Sequence, residues 1–311
     1  MKRAMMLLAV LGAAAALSGC TFLKVSLTPE TLPLEEQVLS GEGREKVLVL
    51  DLSGMITSER STSSLSGTSE MGMVPLFREE LDKARRDKFI KAVVLRINSP
   101  SGGVTASDVL YHEISKFRQE TGIVVIAHVM DAGASGAYYA ALAADRITAQ
   151  PTSVTGSIGV IMWRIDATGL MQKVGIQATE IASGERKGMG SPFRPVSPEE
   201  MKIFKNVVDS IYERFVGLIV ERRKLPRERV LQLADGRIFT SVEAKKEGLI
   251  DAIGYLEDAI EAAKDQAHVT QARVITYSRP GVYTDNIYSR FSFDLGRIMD
   301  PGVQFLYLWW P

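Results

Sequence analysis

The chain alternates continuous apolar runs with amphipathic segments. Residues 46–52, 91–97 and 123–129 are apolar at successive positions, which is typical of strands that are buried on both faces. Residues 75–87 and 105–120 instead place their apolar residues at helical spacing, and polar residues at the start of the second segment favour a helix cap. This alternation predicts an α/β fold that contains buried parallel strands.

The pattern continues toward the C-terminus and then fades. Residues 136–144 predict an alanine-rich helix, and residues 146–149 predict another strand. A long amphipathic helix is predicted over residues 197–223, because Ser-Pro-Glu-Glu at its start supplies a cap and a proline suited to the first turn. The last thirty residues lose periodicity but end in an apolar segment at 305–310. We expect this tail to dock onto the domain rather than to contact a membrane or partner.

The N-terminal residues have the layout of a secretory signal peptide. A basic head at residues 1–3 precedes an apolar run at 4–17, which is too short to span a bilayer comfortably. The run ends in Leu-Ser-Gly-Cys, which resembles the lipobox of bacterial lipoproteins. This resemblance implies that the Cys20 thiol receives a diacylglycerol and that the signal peptide, residues 1–19, is removed. A plain signal peptide or an N-terminal anchor with a chance cysteine is the alternative.

This interpretation implies that the protein is lipid-anchored in the bacterial cell envelope and faces the periplasm or the exterior. Two acyl chains anchor a protein stably, whereas one chain binds a membrane only marginally. Thr21 follows the cysteine, so the aspartate that directs inner-membrane retention in enterobacteria is not there. Because that sorting rule varies between lineages, the choice of membrane stays open. Residues 20–45, which contain prolines and a Gly-Glu-Gly break, are expected to form a tether.

Composition and charge narrow the classes of function. Lys+Arg and Asp+Glu are both 37, so the net charge gives no reason to expect a nucleic-acid partner. One cysteine allows neither an intrachain disulfide nor a cysteine-based metal cluster. The three histidines, His112, His128 and His268, lack the spacing of metal ligands. We therefore predict no metal and no cofactor, and the chain has no Gly-x-x-x-x-Gly-Lys-Ser/Thr loop that would bind ATP.

Three glycine-rich turns each follow an apolar strand, at residues 98–103, 131–139 and 155–160. In the second turn, Ser135 stands between a strand and a helix, where its hydroxyl can be exposed beside free helical N–H donors. Such donors suit a developing oxyanion. Taken alone, Ser135 is better explained as a helix N-cap.

A lysine stands in a fourth glycine-rich segment, residues 183–193, which reads Ser-Gly-Glu-Arg-Lys-Gly-Met-Gly-Ser-Pro-Phe. Most lysines in such loops are surface charges, and Lys187 considered by itself would be assigned to that class.

Together these segments resemble the signal peptide peptidase A family, serine peptidases of the ClpP/crotonase fold, over roughly residues 46–265. Residues 235–240 and 247–251 resemble the second-half signature of the family. One departure is Ser101, where the family usually has glycine. The resemblance implies a spiral of β/α units with the following site: Ser135 as nucleophile, Lys187 as general base, Ser157 to orient the lysine, and the N–H groups of Gly102 and Gly136 as oxyanion donors.

The chemistry agrees with these roles. A serine hydroxyl is a poor nucleophile until a base removes its proton, and a lysine must be neutral to serve as that base. We therefore expect Lys187 to be buried. Histidine is the usual alternative, and ClpP itself uses Ser, His and Asp. No histidine lies between His128 and His268, and His128 falls inside an apolar strand, so we expect it to be a core or strand-end residue.

The sequence thus predicts a serine endopeptidase that hydrolyses extended peptides, such as signal-peptide remnants or membrane-associated protein segments, through an acyl-enzyme. The peptidase domain is assigned to residues 46–265, and 266–311 to a C-terminal extension. The family also implies a homo-oligomeric ring, and whether Ser135 and Lys187 come from one subunit or two stays open. The alternatives are a crotonase-like enzyme that acts on CoA thioesters and an inactive scaffold of the same fold.

Overall fold

A computed structural model of the chain describes residues 32–58, 61–62, 69–280, 286–288 and 305–308. The signal segment and Cys20 lie outside these residues, as does part of the polar stretch between 57 and 70. The described residues from Leu34 onward belong to one compact unit.

The described strands are, in chain order, β1 Glu35–Ser40, β2 Glu45–Ser53, β3 Ser61–Thr62, β4 Ser69–Glu70, β5 Ile90–Ser99, β6 Ser101–Gly103, β7 Val124–Ala134, β8 Arg146–Ala149, β9 Val154–Gly156, β10 Ile161–Met162, β11 Ile238–Thr240, β12 Ala252–Ile253, β13 Ala272–Ser278 and β14 Phe305–Leu308. The described helices are α1 Met73–Arg86, α2 Val104–Thr121, α3 Gly136–Ala141, α4 Thr168–Val174, α5 Pro198–Arg223, α6 Arg227–Leu233, α7 Ser241–Lys246 and α8 Leu256–Gln266.

A nine-stranded, mostly parallel sheet forms the centre of the molecule. Its main path runs β1-β13-β2-β5-β7-β8-β12, and only β1 on this path is antiparallel to its neighbour. Alternate side chains of the same strand point to opposite faces, and both faces are covered. Leu50 and Leu95 face helices α1, α2, α3 and α5, whereas Val49 and Val94 face α8. The predicted α/β fold with buried parallel strands is therefore confirmed.

The sheet branches at β7, and this branch positions the site. The first half of β7 pairs with β8, with Ile126 opposite Arg146, and its end pairs with β9, with Ala134 opposite Gly156. β11 then adds to β9 in the antiparallel direction. The end of β7 thus lies between β5 and β9, at the residue directly before Ser135.

Helix boundaries agree with the periodicity, with two differences. Ser197 and Glu200 form the predicted capping box at the start of α5. Helix α2 has Gly103 at its N-cap and makes no side-chain capping hydrogen bond, so the polar cap expected there is absent. Helix α3 ends at Ala141, three residues before the predicted end.

The expected boundaries of the domain were too narrow at both ends. Glu35–Ser40 was assigned to the tether, yet it forms β1 and pairs with β13. Ala272–Ser278 was assigned to the C-terminal extension, yet it is β13 and lies between β1 and β2. These strands adjoin each other but are far apart along the chain, so local patterning does not reveal their pairing. Within the tail, the described segment Phe305–Leu308 docks onto the domain, as predicted, since β14 pairs with β6 and β10.

None of the helices among the described residues combines the length and apolar character that crossing a membrane requires.

Replacing Tyr138 by phenylalanine tests the packing of α3. The Tyr138 hydroxyl donates to the carbonyl of Leu249 across 2.8 Å, and the tyrosine side chain is fully buried. Removing it leaves that carbonyl without its donor in the core, so we expect Tyr138→Phe to lower the free energy of unfolding by about 1–2 kcal/mol. Urea denaturation measures the change. Tyr255→Phe, at an exposed tyrosine, is the control; an equal loss there would contradict this role for Tyr138.

Candidate active site

Ser135 occupies the turn between β7 and α3 in a strained backbone conformation. Its φ is 55° and its ψ is −115°, a region that non-glycine residues rarely adopt. The conformation is held on both sides, because the Ser135 N–H donates to the Gly156 carbonyl and its carbonyl accepts from the Tyr139 N–H. The hydroxyl is buried and has no hydrogen-bond partner among the described residues. A sharply turned, unpaired serine at a strand-to-helix junction is suited to be a nucleophile.

Gly102 and Gly136 approach each other closely beside Ser135. A Cβ placed on Gly136 would lie 3.0 Å from the Gly102 nitrogen and 3.2 Å from the Gly102 Cα. A Cβ on Gly102 would lie 2.6 Å from the Cβ of Ile56. Both positions therefore require glycine. Because Gly136 is the first residue of α3, its N–H has no acceptor within the helix. The two predicted oxyanion donors are thus brought together.

Ser107 is a neighbour of this pair that sequence reasoning missed. It lies in the first turns of α2 and is fully buried, and a Cβ on either glycine would collide with its hydroxyl oxygen. That oxygen has no hydrogen-bond partner within the described part of the chain. The sequence contains no signal for this contact, since a serine near a helix start is usually read as a cap.

Ser157 lies near Ser135 and contacts residues 235–240, which are part of the second-half signature. Its N–H donates to the carbonyl of Arg237 across 2.7 Å, and its φ of 49° turns the chain directly after β9. The adjacent Gly156 packs against the ring of Phe239, because β11 pairs with β9. Residues 235–240 therefore support the turn that carries Ser157. The Ser157 hydroxyl makes no hydrogen bond within the described ranges.

Lys187 is not buried in this chain, contrary to expectation. It is exposed, and within the described residues its ammonium group makes no hydrogen bond or ion pair, including with Ser135 and Ser157. It lies on a segment of residues 163–196, here called the lysine arm. The single chain thus brings together four of the five predicted site residues, and leaves the lysine in solvent.

Ion pairs hold the lysine arm on the start of α5. The guanidinium of Arg194 pairs with Glu180 at 3.1 Å and with Glu200, the capping residue of α5. The Arg194 hydrogen bonds lower the pKa of Glu200 to about 2. Glu180 in turn packs against Gly188, next to the lysine. The loop around Lys187 therefore has a defined attachment although its lysine is exposed.

His128 is excluded as the base by its position. It lies on the α8 side of the sheet, together with Ile126 and Met130, whereas α3 lies on the other side. Its Nδ1 contacts the Thr148 hydroxyl at 2.8 Å, and burial lowers the pKa of His128 to about 4. The expectation of a core histidine is confirmed. Among the described residues, no group of three or more His, Cys, Asp or Glu could hold a metal ion.

Comparison with known proteins shows the family of this chain. Residues 117–270 match Peptidase family S49. The chain is 35% identical over 243 residues to an Enterococcus faecium protein provisionally named signal peptide peptidase SppA, which covers 78% of this chain and 70% of that protein. It is 33% identical to a provisionally named protease of Synechocystis, covering 74% of this chain and 78% of that protein.

A third relative is longer. Protease 4 of Salmonella typhi is 28% identical over 225 residues, which are 72% of this chain and 36% of that protein. The chain therefore spans about a third of Protease 4. The mostly parallel α/β sheet agrees with the ClpP/crotonase-like fold that the sequence resemblance implied.

Substitution of Gly136 tests the close approach of the two glycines. The added methyl group of Gly136→Ala would press on the backbone of Gly102, so we expect about 1–3 kcal/mol lower stability and a large loss of peptidase activity. Thermal unfolding and peptide hydrolysis measure the two effects. Gly217→Ala is the matched control, because it adds a methyl group in open space on α5, and should be neutral or stabilising. Equal behaviour of the two variants would contradict the packing described above.

The backbone strain at Ser135 can be tested by comparing two substitutions at that position. Glycine adopts positive φ without penalty, whereas an alanine side chain at this position carries a cost of about 1–3 kcal/mol. Glycine has more chain entropy in the unfolded state, and this offsets part of the difference in strain. The free energy of unfolding of Ser135→Gly should therefore be about 1 kcal/mol higher than that of Ser135→Ala. Urea denaturation measures both values. At Ser210, on an exposed face of α5, the order should be reversed. The same order at both serines would show that Ser135 carries no strain.

Proposed function

The chain belongs to peptidase family S49, and from this we propose that it is a serine endopeptidase in which Ser135 is the nucleophile and Lys187 is the general base. The observation that carries the proposal is the geometry of Ser135. Its unpaired hydroxyl lies in a strained turn beside the close approach of Gly102 and Gly136. These features provide a nucleophile and two backbone donors in one small volume, which is the arrangement that acyl transfer requires.

The proposed reaction has two steps. The Ser135 hydroxyl attacks the scissile carbonyl carbon while the neutral amine of Lys187 accepts its proton. The N–H groups of Gly102 and Gly136 stabilise the resulting oxyanion, and collapse of the intermediate expels the amine product with a proton from Lys187. Water then attacks the acyl-enzyme with the same lysine as base, which releases the carboxylic acid and restores Ser135. Ser157 orients the lysine, and the reaction needs no cofactor.

A neighbouring copy of the chain supplies Lys187 in this proposal. The lysine arm exposes large apolar side chains that a monomer would leave in water. They are Trp163, Ile165, Leu170, Val174, Ile176, Ile181 and Phe193. Packing of the arm against the next subunit would bury these side chains and would also remove Lys187 from solvent, as its role as a base requires. Repetition of this head-to-tail contact closes a ring.

The substrates that fit this site are extended peptides, such as signal-peptide remnants or segments of membrane-associated proteins. The relative from Enterococcus faecium is named for peptidase activity on signal peptides. A diacylglycerol on Cys20 would hold the ring at the surface of a bacterial envelope membrane, where such substrates occur.

Single substitutions test the dyad. Ser135→Ala and Lys187→Ala should each lower kcat for an extended peptide by at least about a thousandfold, because neither member of a nucleophile–base pair works alone. Lys173→Ala, on the same arm, should retain activity near that of the unchanged protein. Substantial hydrolysis by either dyad variant would contradict the assignment, as would failure of a fluorophosphonate to label Ser135 in the folded protein.

Mixing of inactive variants tests the shared site. If each site joins Ser135 of one copy to Lys187 of the next, random co-assembly of Ser135→Ala and Lys187→Ala chains should restore about a quarter of full activity. Each variant alone stays inactive. Co-expression with two different affinity tags, followed by tandem purification and assay, provides the measurement. Confirmed co-assembly without any recovery would place both residues of the site in one chain.

A further inference from the structure

Ser107 is a buried serine whose hydroxyl group is not used by its own helix. It is the fourth residue of α2 and lies on the same face as Leu110, which is fully buried in the core. A serine within a helix commonly donates to the carbonyl four residues earlier, which here is that of Gly103. In the described part of the chain, the Ser107 hydroxyl makes neither this hydrogen bond nor any other. Its oxygen instead faces the two glycines of the candidate site.

The Ser107 oxygen occupies the place where both glycines would carry a side chain. A Cβ on Gly136 would lie 2.4 Å from this oxygen, and a Cβ on Gly102 would lie 2.7 Å from it. Ile56 backs Gly102 as well, since the same added Cβ would lie 2.6 Å from the Cβ of Ile56. One oxygen atom, carried by a helix that is anchored in the core, therefore limits the positions of both glycine backbones.

Stability does not explain why this position carries a hydroxyl group. Burial of a polar group without a hydrogen-bond partner is unfavourable, and alanine is a better helix former than serine. Alanine at position 107 would therefore fit α2 without either cost. Departures of this kind from the rules of stable packing are expected mainly at functional sites. The Ser107 hydroxyl lies at such a site, because it contacts both proposed oxyanion donors.

We propose that Ser107 is a positioning residue, whose oxygen holds the backbones of Gly102 and Gly136 at the separation that lets both N–H groups bind one oxyanion. The catalytic part of this role rests on the proposed peptidase function, whereas the effect of the oxygen on the glycine separation does not. Donors contribute most when they are fixed before charge develops. A displacement of about 1 Å in an active site can lower the rate about a hundredfold.

Removal of the oxygen in Ser107→Ala tests this role by kinetics. The value of kcat for an extended fluorogenic peptide should fall at least about tenfold, while KM stays within about twofold, because the oxyanion forms only after the substrate has bound. The rate at which a fluorophosphonate labels Ser135 should fall in parallel, since its phosphonyl oxygen needs the same donors. The melting temperature should stay the same or rise, because an unpaired buried hydroxyl has been removed.

Ser278→Ala is the matched control. The Ser278 hydroxyl is also buried and has no hydrogen-bond partner among the residues that the structure describes, but it lies at the end of β13. Its removal should leave kcat unchanged. An equal loss of kcat in both variants would overturn the proposal. A lower melting temperature for Ser107→Ala with an unchanged kcat would also overturn it, because Ser107 would then serve only the packing of α2.

Crystal structures of the unchanged protein and of Ser107→Ala separate the positioning role from the peptidase function. The distance between the amide nitrogens of Gly102 and Gly136 should differ by about 0.5 Å, because packed groups shift into a gap of that size. A changed distance in a protein that no peptide or fluorophosphonate reacts with would support the positioning role while the proposed function failed. An unchanged distance would overturn the positioning role, even if the Ser135 and Lys187 variants behave as expected.

Discussion

The close approach of Gly102 and Gly136 is the constraint on which the site depends. Each belongs to a different element, β6 and α3, and the two elements meet only because neither residue carries a side chain. Ile56 and Ser107 fill the space behind them, so the backbone amides have little freedom to move. Donors that are fixed before the reaction need no reorganisation when charge develops, and this is the main advantage of an oxyanion hole.

The central sheet determines the position of Ser135 relative to these two glycines. β7 pairs with β8 along its first half and with β9 at its end. Ser135 directly follows that end, and its N–H donates to the carbonyl of Gly156. The strain in that turn is tolerated because hydrogen bonds on both sides and a buried helix fix the serine. A buried serine in a strained turn beside two closely approaching glycines is thus a property of the single folded chain.

The environment of Lys187 differs from that of Ser135, because the lysine is exposed to solvent. Lys187 lies on an arm that is attached through Arg194 but is covered by little of its own chain. Burial of a lysine disfavours its charged form, so in the proposed shared site Lys187 would act as a base only where a neighbouring copy covers it. The C-terminal strand β14 pairs with β6 beside Gly102.

The sequence by itself determined the α/β class, the buried parallel strands and the capping box of α5, because these depend on local periodicity and on side chains close along the chain. It also located the glycine turns and Ser135, because each of these turns directly follows an apolar run in the sequence. Only the tertiary structure decided the pairing of β1 with β13, the contact of Ser107 with two glycines, and the place of β14 beside β6. Each of these joins residues that are distant in sequence, and backbone pairing leaves little trace in side-chain pattern. The exposure of Lys187 was likewise decided by packing, because a glycine-rich loop has the same composition whether it is covered or open to solvent.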